Sequence, residues 1–592
     1  MSDLLPRPRL AMDTCARRLR PFDGAVPRPD TGCEISWYGP AGISPASPAS
    51  EATVQALCGL MEVNGRDWAA PRRLGLEVAS VAAGLLAAQG VLAAQIARSR
   101  GRTVPVVRTS VLQAGLLLLS NYFVVATALG DAVAGPPLPA PGPPFRSADG
   151  AWFEIETLDA EPWKEFWTRL GAAGADLGRG WTVFRWRYER ARCSLPLGLH
   201  EATARRSLDE VRAVAAETGV SLTPLRSYAD VLHEPGTGVA HPVARPNDVD
   251  EWQRGRAERR GARRRPPGEA DLPLAGLRVV EATSRIQGPF AGMLLRMLGA
   301  DVVRVQPPEG DYGRAALCLH RGKEIVRLDL NAPARRADLA DLVADADVFL
   351  HNWRPGKAAE WELDFEHLAP RHPGLVYVTT SGWGDRPEAR RLVGTDFLVQ
   401  AYAGVGEGMH PEDEAGFPSR VVLCDLFGGL VGAEAALTGL YRREQVGCAW
   451  EMRSSLLAGA MALQAHVLED ITREKEDGRR NGRPIWGVLD RPVPAADGVL
   501  VMSVEDDESF RRLCRICDVE SSAPRAATER RLAGRLRSGS AAAWEQRLLG
   551  AGIPCAVVCE DLAAVPADPR FSELFEPVGI GGLAPRSPWS FR

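Results

Sequence analysis

An internal repeat constrains the fold of this 592-residue chain more than any other sequence feature. Val54-Gln55-Ala56 recurs 345 positions later as Val399-Gln400-Ala401 (399 − 54 = 345). The same offset, without a gap, carries four more segments onto matching ones: Gly84-Leu85 onto Gly429-Leu430, Arg98 onto Arg443, Arg108 onto Arg453, and Ser110 onto Ser455. A constant register across a predicted helix, turn and strand indicates duplication, so the chain must fold as two related units.

The two units differ in length. Residues 272–384 have no counterpart in the first half, whereas Asp149-Gly150 and Asp497-Gly498 are matching turns that each precede a strand. We call residues 46–235 the first copy and residues 272–592 the second copy. The predicted segments are an N-terminal extension (1–45), the truncated first copy (46–235), a linker rich in Arg, Pro and Gly (236–271), a large domain (272–470), and a small domain with the C-terminal segment (471–592).

The second copy opens with an alternation of strands and helices. Runs of apolar and β-branched residues predict five strands, and Gly288-Pro289 begins a helix that stops at Gly299. Strands at this spacing with helical crossovers predict a parallel sheet of the Rossmann type, and therefore an α/β fold. The predicted strands are 277–283, 301–306, 324–330, 348–353 and 375–380.

Composition and absent motifs exclude several classes of function. The formal net charge of -4 provides no domain-wide basic surface, so we expect no nucleic-acid partner. The first strand is not followed by GxGxxG, which argues against a dinucleotide cofactor. The nine histidines are dispersed, and we expect no metal site. Cys514 and Cys517 form a single CxxC, which favours two half-buried thiols over a zinc or redox site.

Two uncharged stretches, Val78–Ala97 and Val111–Gly130, approach the length of a membrane span. Both carry polar amides, and the counterpart of the first contains Glu434, so we predict buried helices and no membrane partner. The N-terminus lacks the apolar run of a signal peptide. Eleven scattered cysteines suit a reducing compartment, so we predict a cytoplasmic protein.

Ordered motifs in residues 273–470 are similar to those of the family III CoA-transferases, the formyl-CoA transferase and carnitine CoA-transferase group. The first copy resembles only the second half of that family's chain. The motifs are Gln287-Gly288-Pro289, Leu298-Gly299-Ala300-Asp301, Arg321-Gly322-Lys323, Asn352-Trp353-Arg354-Pro355-Gly356, Asp396-Phe397-Leu398, and Asp425-Leu426-Phe427-Gly428-Gly429.

This resemblance implies a Rossmann-like large domain, a smaller α+β domain, and two chains interlocked like links. In a duplicated chain the two copies are then expected to form an internal pseudo-dimer, and further pairing into a homodimer stays open. The chain ends earlier than is usual in the family. The segment that closes back on the large domain is therefore expected to be missing, or replaced by residues 1–45.

The implied activity is transfer of CoA from an acyl-CoA to a free carboxylic acid, with Asp425 as the nucleophile and no permanently bound cofactor. A carboxylate that attacks a thioester gives a mixed anhydride and then an aspartyl-CoA thioester. Gly428 and Gly429 suit close approach of backbone to substrate. In the first copy the offset places Ser80 at the nucleophile position (425 − 345 = 80), so we predict at most one working site per chain.

The resemblance also implies a set of contacts to CoA. Two alternatives to the transferase remain open: an acyl-CoA racemase or isomerase on the same fold, and a catalytically dead CoA-binding protein. The related racemases have a His before the position of Asp396, where this chain has Thr395, and Thr cannot act as the proton-transferring base. The residues expected to contact CoA are Arg285, Ile286, Gln287, Arg304, Lys323, Asn352, Trp353 and Arg354.

Overall fold

The computed structural model describes residues 7–20, 32–104, 106–129, 142–233, 272–310, 315–384, 386, 392–473, 478–521 and 524–591, and the predicted linker lies outside these ranges. The first elements are mainly helical. They are α1 (Arg9–Leu19), β1 (Gly32–Ser36), α2 (Glu51–Cys58), α3 (Leu60–Gly65), α4 (Val78–Ser99), β2 (Val106–Ser110), α5 (Val111–Leu118) and α6 (Ser120–Leu129). Strands β1 and β2 pair in parallel.

A small α+β unit follows in the first copy. It consists of β3 (Phe145–Arg146), β4 (Trp152–Glu156), α7 (Ala160–Arg169), α8 (Gly174–Arg185), α9 (Arg187–Arg190), α10 (Leu197–Ala204), α11 (Leu208–Thr218), β5 (Ser221–Pro224) and α12 (Tyr228–His233). The strands form an antiparallel sheet in the order β3-β4-β5. Phe153, Trp163 and Phe166 lie in a separate hydrophobic core, so we call this unit the first small domain.

The large domain of the second copy contains a six-stranded parallel sheet. Its elements are β6 (Arg278–Ala282), α13 (Gln287–Met297), β7 (Asp301–Gln306), α14 (Ala315–Leu319), β8 (Glu324–Arg327), α15 (Pro333–Ala344), β9 (Val348–His351), α16 (Lys357–Glu360), α17 (Phe365–Leu368), β10 (Val376–Ser381), α18 (Asp396–Tyr402), α19 (Val405–Met409), α20 (Leu423–Val446), β11 (Trp450–Ser455) and α21 (Leu456–Thr472). This confirms the predicted α/β fold with a parallel sheet.

The strand order is β11-β10-β9-β6-β7-β8, with every neighbouring pair parallel. The chain runs from β6 outward through β7 to β8, and then returns to the other side of β6 to form β9. The order therefore reverses between β6 and β9, which is where open α/β sheets bind ligands at the carboxyl ends of their strands. Apolar side chains cover both faces of the sheet, with Val279 on one face and Val280 on the other.

The C-terminal part holds the second small domain and a closing segment. The small domain has β12 (Arg479–Arg480), β13 (Arg483–Pro484), β14 (Val493–Pro494), β15 (Val499–Met502), α22 (Asp507–Cys517), α23 (Arg525–Leu536), α24 (Ala541–Gly550) and β16 (Cys555–Val557). The closing segment has short 3-10 turns, β17 (Phe575–Val578), β18 (Gly582–Pro585) and β19 (Ser590–Phe591). Strands β14, β15 and β16 repeat the antiparallel order of the first small domain.

The predicted offset relates the two copies element by element. It carries the first residue of α4 onto that of α20 (423 − 78 = 345) and the first of α2 onto that of α18 (396 − 51 = 345). It also places β1 on β10 and β2 on β11, which form equivalent parallel pairs. The repeated unit therefore begins at β1, upstream of the predicted boundary at residue 46.

Residues before that boundary replace an element that the first copy lacks. Among the described residues, nothing in the first copy corresponds to β6–β9, yet α1 packs along α4 as α13 packs along α20. A Cβ on Gly84 would lie 2.6 Å from the Ala11 carbonyl oxygen, and one on the equivalent Gly429 would lie 2.8 Å from that of Gln287. Two small residues thus admit a crossing helix at the same place in each copy.

The closing segment is present, contrary to the expectation that it is missing or replaced by residues 1–45, and it returns to the first copy. Strand β19 pairs antiparallel with β2, and the Trp589 Nε1–H donates to the Leu86 carbonyl oxygen at 2.7 Å. The C-terminus of the second copy therefore completes the shortened sheet of the first.

The small domains are exchanged between the copies. Strands β4 and β5 of the first small domain contact α18 of the second copy, while β15 and β16 of the second small domain contact α2 of the first. This arrangement matches the predicted internal pseudo-dimer. Helices α4 and α20 are long and apolar enough to cross a membrane, but both are buried in the fold. The stretch after residue 111 is instead two helices, α5 and α6, bent by 62°.

Candidate active site

The carboxyl edge of the sheet brings together the loops that follow β6 and β9, at the reversal of strand order. The Asn352 side chain accepts a hydrogen bond from the Ser284 backbone N–H at 2.9 Å, and it donates to the Ser284 carbonyl oxygen at 2.8 Å. The next residue, Arg285, is exposed and has a φ of 65°, in the left-handed region. This backbone conformation costs free energy in a non-glycine residue, and such strain clusters at ligand sites.

Asp425 lies in the first turn of α20, at the same edge. Its backbone N–H donates to Asp396 Oδ2 at 2.8 Å. The Gln400 side chain holds that carboxylate in place by donating to Asp396 and to two backbone carbonyl oxygens of the segment that enters α20. Asp396 therefore caps α20, which leaves the Asp425 carboxyl, 8% exposed, to face the site.

The environment of Asp425 raises its pKa to about 7. Burial is the largest cause. The Arg285 guanidinium and the Gln287 backbone N–H act in the opposite direction by favouring the ionised carboxylate, and the charge of Glu156 adds to the rise. Burial and the neighbouring charge of Asp425 also raise the pKa of Asp396 well above its usual range. Arg285, Gln287 and Glu156 therefore surround the predicted nucleophile.

Glu156 belongs to the first small domain, so the first copy forms one wall of this site. Its buried carboxylate accepts hydrogen bonds from the Tyr188 hydroxyl and from Arg187, which lies 3.1 Å away and also pairs with Glu154 at 3.2 Å. The Tyr188 ring lies against Phe397 of α18, with ring centroids 4.8 Å apart. Our sequence reasoning missed this group. The available signal was a pair of glutamates, Glu154 and Glu156, two residues apart in the short strand Trp152–Glu156. Such residues lie on the same face of a strand, and the structure buries both.

Two residues expected to contact CoA are placed differently. Arg304 and Lys323 have no exposed side-chain surface, and both bind the buried carboxylate of Glu281, with Lys323 Nζ at 2.6 Å. Burial would raise the pKa of Glu281, but the two cations lower it. Because neither cation reaches solvent, the structure corrects the expectation that they meet a CoA phosphate, and they instead support the sheet beneath α13.

Gly428 and Gly429 are closely approached, as expected, but by side chains of α13 and not by a substrate. A Cβ on Gly428 would lie 2.9 Å from the Gln287 side-chain nitrogen, and one on Gly429 would lie 2.7 Å from Phe290 Cδ1. These glycines admit α13 rather than a substrate. Their effect on the site is indirect, because α13 begins with Gln287.

The remaining residues expected to contact CoA lie at the carboxyl edge of the sheet, where the strand order reverses. Ile286 and Gln287 are buried at the start of α13, and the Gln287 side chain donates to the Ser381 carbonyl oxygen at 3.3 Å. Trp353 is half-buried against His351, with centroids 4.6 Å apart. Arg354 is exposed. Together with Arg285 and Asn352 they lie in the loops that follow β6 and β9 or at the start of α13, whereas Arg304 lies within β7 and Lys323 directly precedes β8.

The first copy keeps the capping arrangement without the nucleophile. Glu51, equivalent to Asp396, accepts hydrogen bonds from the Ser80 backbone N–H at 2.9 Å and from the Ser80 hydroxyl at 2.6 Å. Gln55 donates to Glu51 and to two backbone carbonyl oxygens, as Gln400 does in the second copy. Ser80 therefore satisfies the longer Glu51 side chain, and the position has no carboxylate that could attack a thioester.

Within the described ranges, no group of three or more His, Cys, Asp or Glu side chains has an arrangement that could hold a metal ion. Cys514 and Cys517 lie in the core of the second small domain, where burial raises the pKa of both thiols. All eleven cysteines are free thiols. The Thr395 hydroxyl is buried at the start of α18, and its position offers no titratable base.

Comparison with known proteins gives consistent matches. The family model described as CoA-transferase family III matches residues 32–256 and again residues 274–574. The succinate–glutarate CoA-transferase of Agrobacterium fabrum is 30% identical over 267 residues, which cover 42% of this chain and 67% of that protein. The acetyl-CoA:oxalate CoA-transferase of Acetobacter aceti is 29% identical over 282 residues, 45% of this chain and 71% of that protein.

The matched segment spans about two thirds of the length of these curated relatives. Among solved structures, a CAIB/BAIF family protein from Brucella suis matches 53% of this chain and 96% of its own, with 23% identity and a TM-score of 0.47. The family model covers both copies and most of the chain. The chain therefore belongs to CoA-transferase family III and is an enzyme of that type.

Proposed function

We propose that this enzyme moves CoA from an acyl-CoA to a free carboxylic acid through a covalent intermediate on Asp425. The observation that carries the proposal is the position of this buried carboxyl. It lies at the carboxyl edge of the parallel sheet, beside the Gln287 backbone N–H and the Arg285 guanidinium, and opposite a wall from the other copy.

The first half-reaction begins with attack of the Asp425 carboxylate on the thioester carbon. The C–S bond breaks, CoA leaves as a thiolate, and a mixed anhydride forms. The thiolate then attacks the Asp425 side-chain carbon and releases the donor acid as a carboxylate. The enzyme now carries an aspartyl-CoA thioester, and no oxidant or reductant is consumed.

The second half-reaction reverses this sequence with the acceptor acid. Its carboxylate attacks the aspartyl thioester, CoA leaves again as a thiolate, and a second mixed anhydride forms. Attack of the thiolate on the acceptor carbon yields the new acyl-CoA and restores the Asp425 carboxylate. In each step a carbonyl oxygen gains negative charge, which the Gln287 backbone N–H and Arg285 are placed to stabilise.

Only the second copy is proposed to work. Ser80 replaces the nucleophile in the first copy, and the described part of that copy has no counterpart of the β6 and β9 loops. CoA is therefore proposed to bind as a substrate at Arg285, Ile286, Gln287, Asn352, Trp353 and Arg354. We further propose that the chain works in the cytoplasm. The relatives act on succinate, glutarate or oxalate, as their names state, and these acids are not assigned to this chain.

Chemical trapping tests the proposal. Enzyme incubated with an acyl-CoA and then hydroxylamine should carry a hydroxamate on the peptide that contains residue 425, detected by mass spectrometry. Asp425→Ala should abolish both the hydroxamate and CoA transfer. Ser80→Ala, the matched change in the other copy, should leave both in place. CoA transfer that persists in Asp425→Ala would overturn the mechanism.

A further inference from the structure

The first copy contributes Glu156 and Tyr188 to the site, and their chemistry bears on which acyl groups the enzyme accepts. We propose that Glu156 and Tyr188 act as a charge filter, so that the enzyme accepts acyl groups without a second carboxylate and discriminates against dicarboxylic acids. This inference rests on the proposed function, because it concerns the acyl group attached to Asp425 during that reaction.

The filter packs against α18, the helix whose first residue, Asp396, accepts the hydrogen bond from the Asp425 backbone N–H. The loops expected to hold CoA follow β6 and β9, and they contribute Arg285. The first small domain approaches the same site through β4 and β5, which contact α18. In the proposed complex, an acyl group joined to CoA at Asp425 extends toward this domain, from which the charge of Glu156 acts on Asp425.

Tyr188 is the half-buried member of the wall, whereas Glu156 is buried. Its hydroxyl proton is committed to Glu156, so toward the cleft the phenol presents only an aromatic ring and an acceptor oxygen. A second carboxylate on the substrate would also be an acceptor, with a buried negative charge behind the oxygen that it meets. An uncharged acyl tail meets apolar ring surface and incurs no such repulsion.

The nearby cations are not available to a substrate carboxylate. The Arg187 guanidinium lies between the rings of Phe184 and Phe397, at 3.7 Å and 4.7 Å from their centroids, and has no exposed surface. Arg420 is also buried, and it binds Asp67 at 2.7 Å. Arg285 is exposed and its charge acts on both Asp425 and Tyr188, but the proposed mechanism engages it with the oxyanion that forms at Asp425. Among the described groups near Glu156, each of these cations is thus already engaged, and none is left to pair with a second substrate carboxylate.

Two CoA esters of equal length isolate the charge. Butyryl-CoA and succinyl-CoA differ only in a terminal methyl or carboxylate, and formation of the Asp425 hydroxamate reports the first half-reaction with each. We expect at least a tenfold higher kcat/KM with butyryl-CoA. Glu156→Gln keeps the side-chain shape but removes the charge, and it should reduce that ratio to within about threefold. Glu165→Gln, which removes an exposed charge from the same small domain, should leave the ratio unchanged.

Tyr188→Phe distinguishes an effect of the Glu156 charge from an effect of disturbed packing around Glu156. Without the tyrosine hydroxyl, Glu156 loses a hydrogen-bond donor but keeps its charge, so discrimination against succinyl-CoA should persist or increase. If Glu156→Gln does not fold, the filter is tested by the ratio of kcat/KM for butyryl-CoA to that for succinyl-CoA in the wild type and in Tyr188→Phe. Equal wild-type rates with the two esters, or equal relaxation in both variants, would overturn the filter. Hydroxamate formed with neither ester in the folded wild-type enzyme would instead overturn the proposed function.

Discussion

Replacing the nucleophile is expected to stabilise the fold at neutral pH while abolishing activity. The folded structure raises the pKa of Asp425 to about 7, mainly through burial, from an ordinary value of 3.8. Between these two pH values the unfolded chain loses the proton while the folded chain keeps it. The free energy of unfolding therefore falls as pH rises across this window and stays low above it.

The pKa difference sets the size of the effect. Each pKa unit is worth about 1.4 kcal/mol, so full expression of the change amounts to at most about 4 kcal/mol. The Asp425→Asn side chain cannot ionise, so the variant does not lose this free energy of unfolding as the pH rises. The variant should match the wild type near pH 4 and exceed it by about 1–4 kcal/mol at pH 8, because relaxation around the charge in the folded state reduces the full value.

Urea unfolding followed by tryptophan fluorescence at pH 4.5, 6 and 8 measures the difference. Asp209→Asn, which removes a carboxylate that is 91% exposed, serves as the control and should show no pH-dependent gain. Equal pH dependence in wild type and Asp425→Asn would mean that the folded protein leaves this carboxyl with its ordinary pKa. The argument from burial would then be wrong.

Four further predictions follow from the same geometry. The rate of hydroxamate formation should increase with pH through about 7, because the nucleophile must be ionised and its pKa is about 7; a flat profile from pH 5.5 to 8 would contradict this. Glu281→Gln should lower the free energy of unfolding by about 3–5 kcal/mol, since it removes the buried carboxylate that both Arg304 and Lys323 bind; a change under about 1 kcal/mol in urea unfolding would refute that role. Gly429→Ala should cost about 1–3 kcal/mol because its Cβ would lie 2.7 Å from Phe290, whereas Gly534→Ala, with open space around it, should be neutral or stabilising. Trp589→Ala should cost about 3–5 kcal/mol by removing a buried indole that joins the C-terminus to α4, and limited proteolysis should then release the closing segment first.

The sequence was most informative where the signal is local. Runs of valine and isoleucine predicted the strands from residue 278 to residue 381, and β7 matches its predicted range, 301–306. The constant offset was equally reliable, since it holds for helices and strands that the copies share. Both signals depend on neighbours in sequence, which a single chain displays directly.

Burial and partner choice were less accessible. Arg304 and Lys323 have the residue types of a phosphate-binding surface, and only the folded structure shows that both bind Glu281 beneath a helix. The small residues at Gly428 and Gly429 correctly indicated a close approach, but not that α13 is the element that approaches. The contribution of Glu156 and Tyr188 was not predicted, because the two glutamates of β4 do not show which copy the small domain covers.

That exchange explains why a copy without a nucleophile remains part of the molecule. The described part of the first copy has neither a carboxylate at the Ser80 position nor the strands whose loops are proposed to hold CoA, so an Asp at that position would not complete a site there. Its small domain, however, covers α18 and brings Glu156 to Asp425. In an assembly of identical chains, every change in the small domain alters all sites and must also be compatible with the chain's own large domain. In the fused pair, the first small domain serves only the working site, so its residues are free to specialise for one substrate.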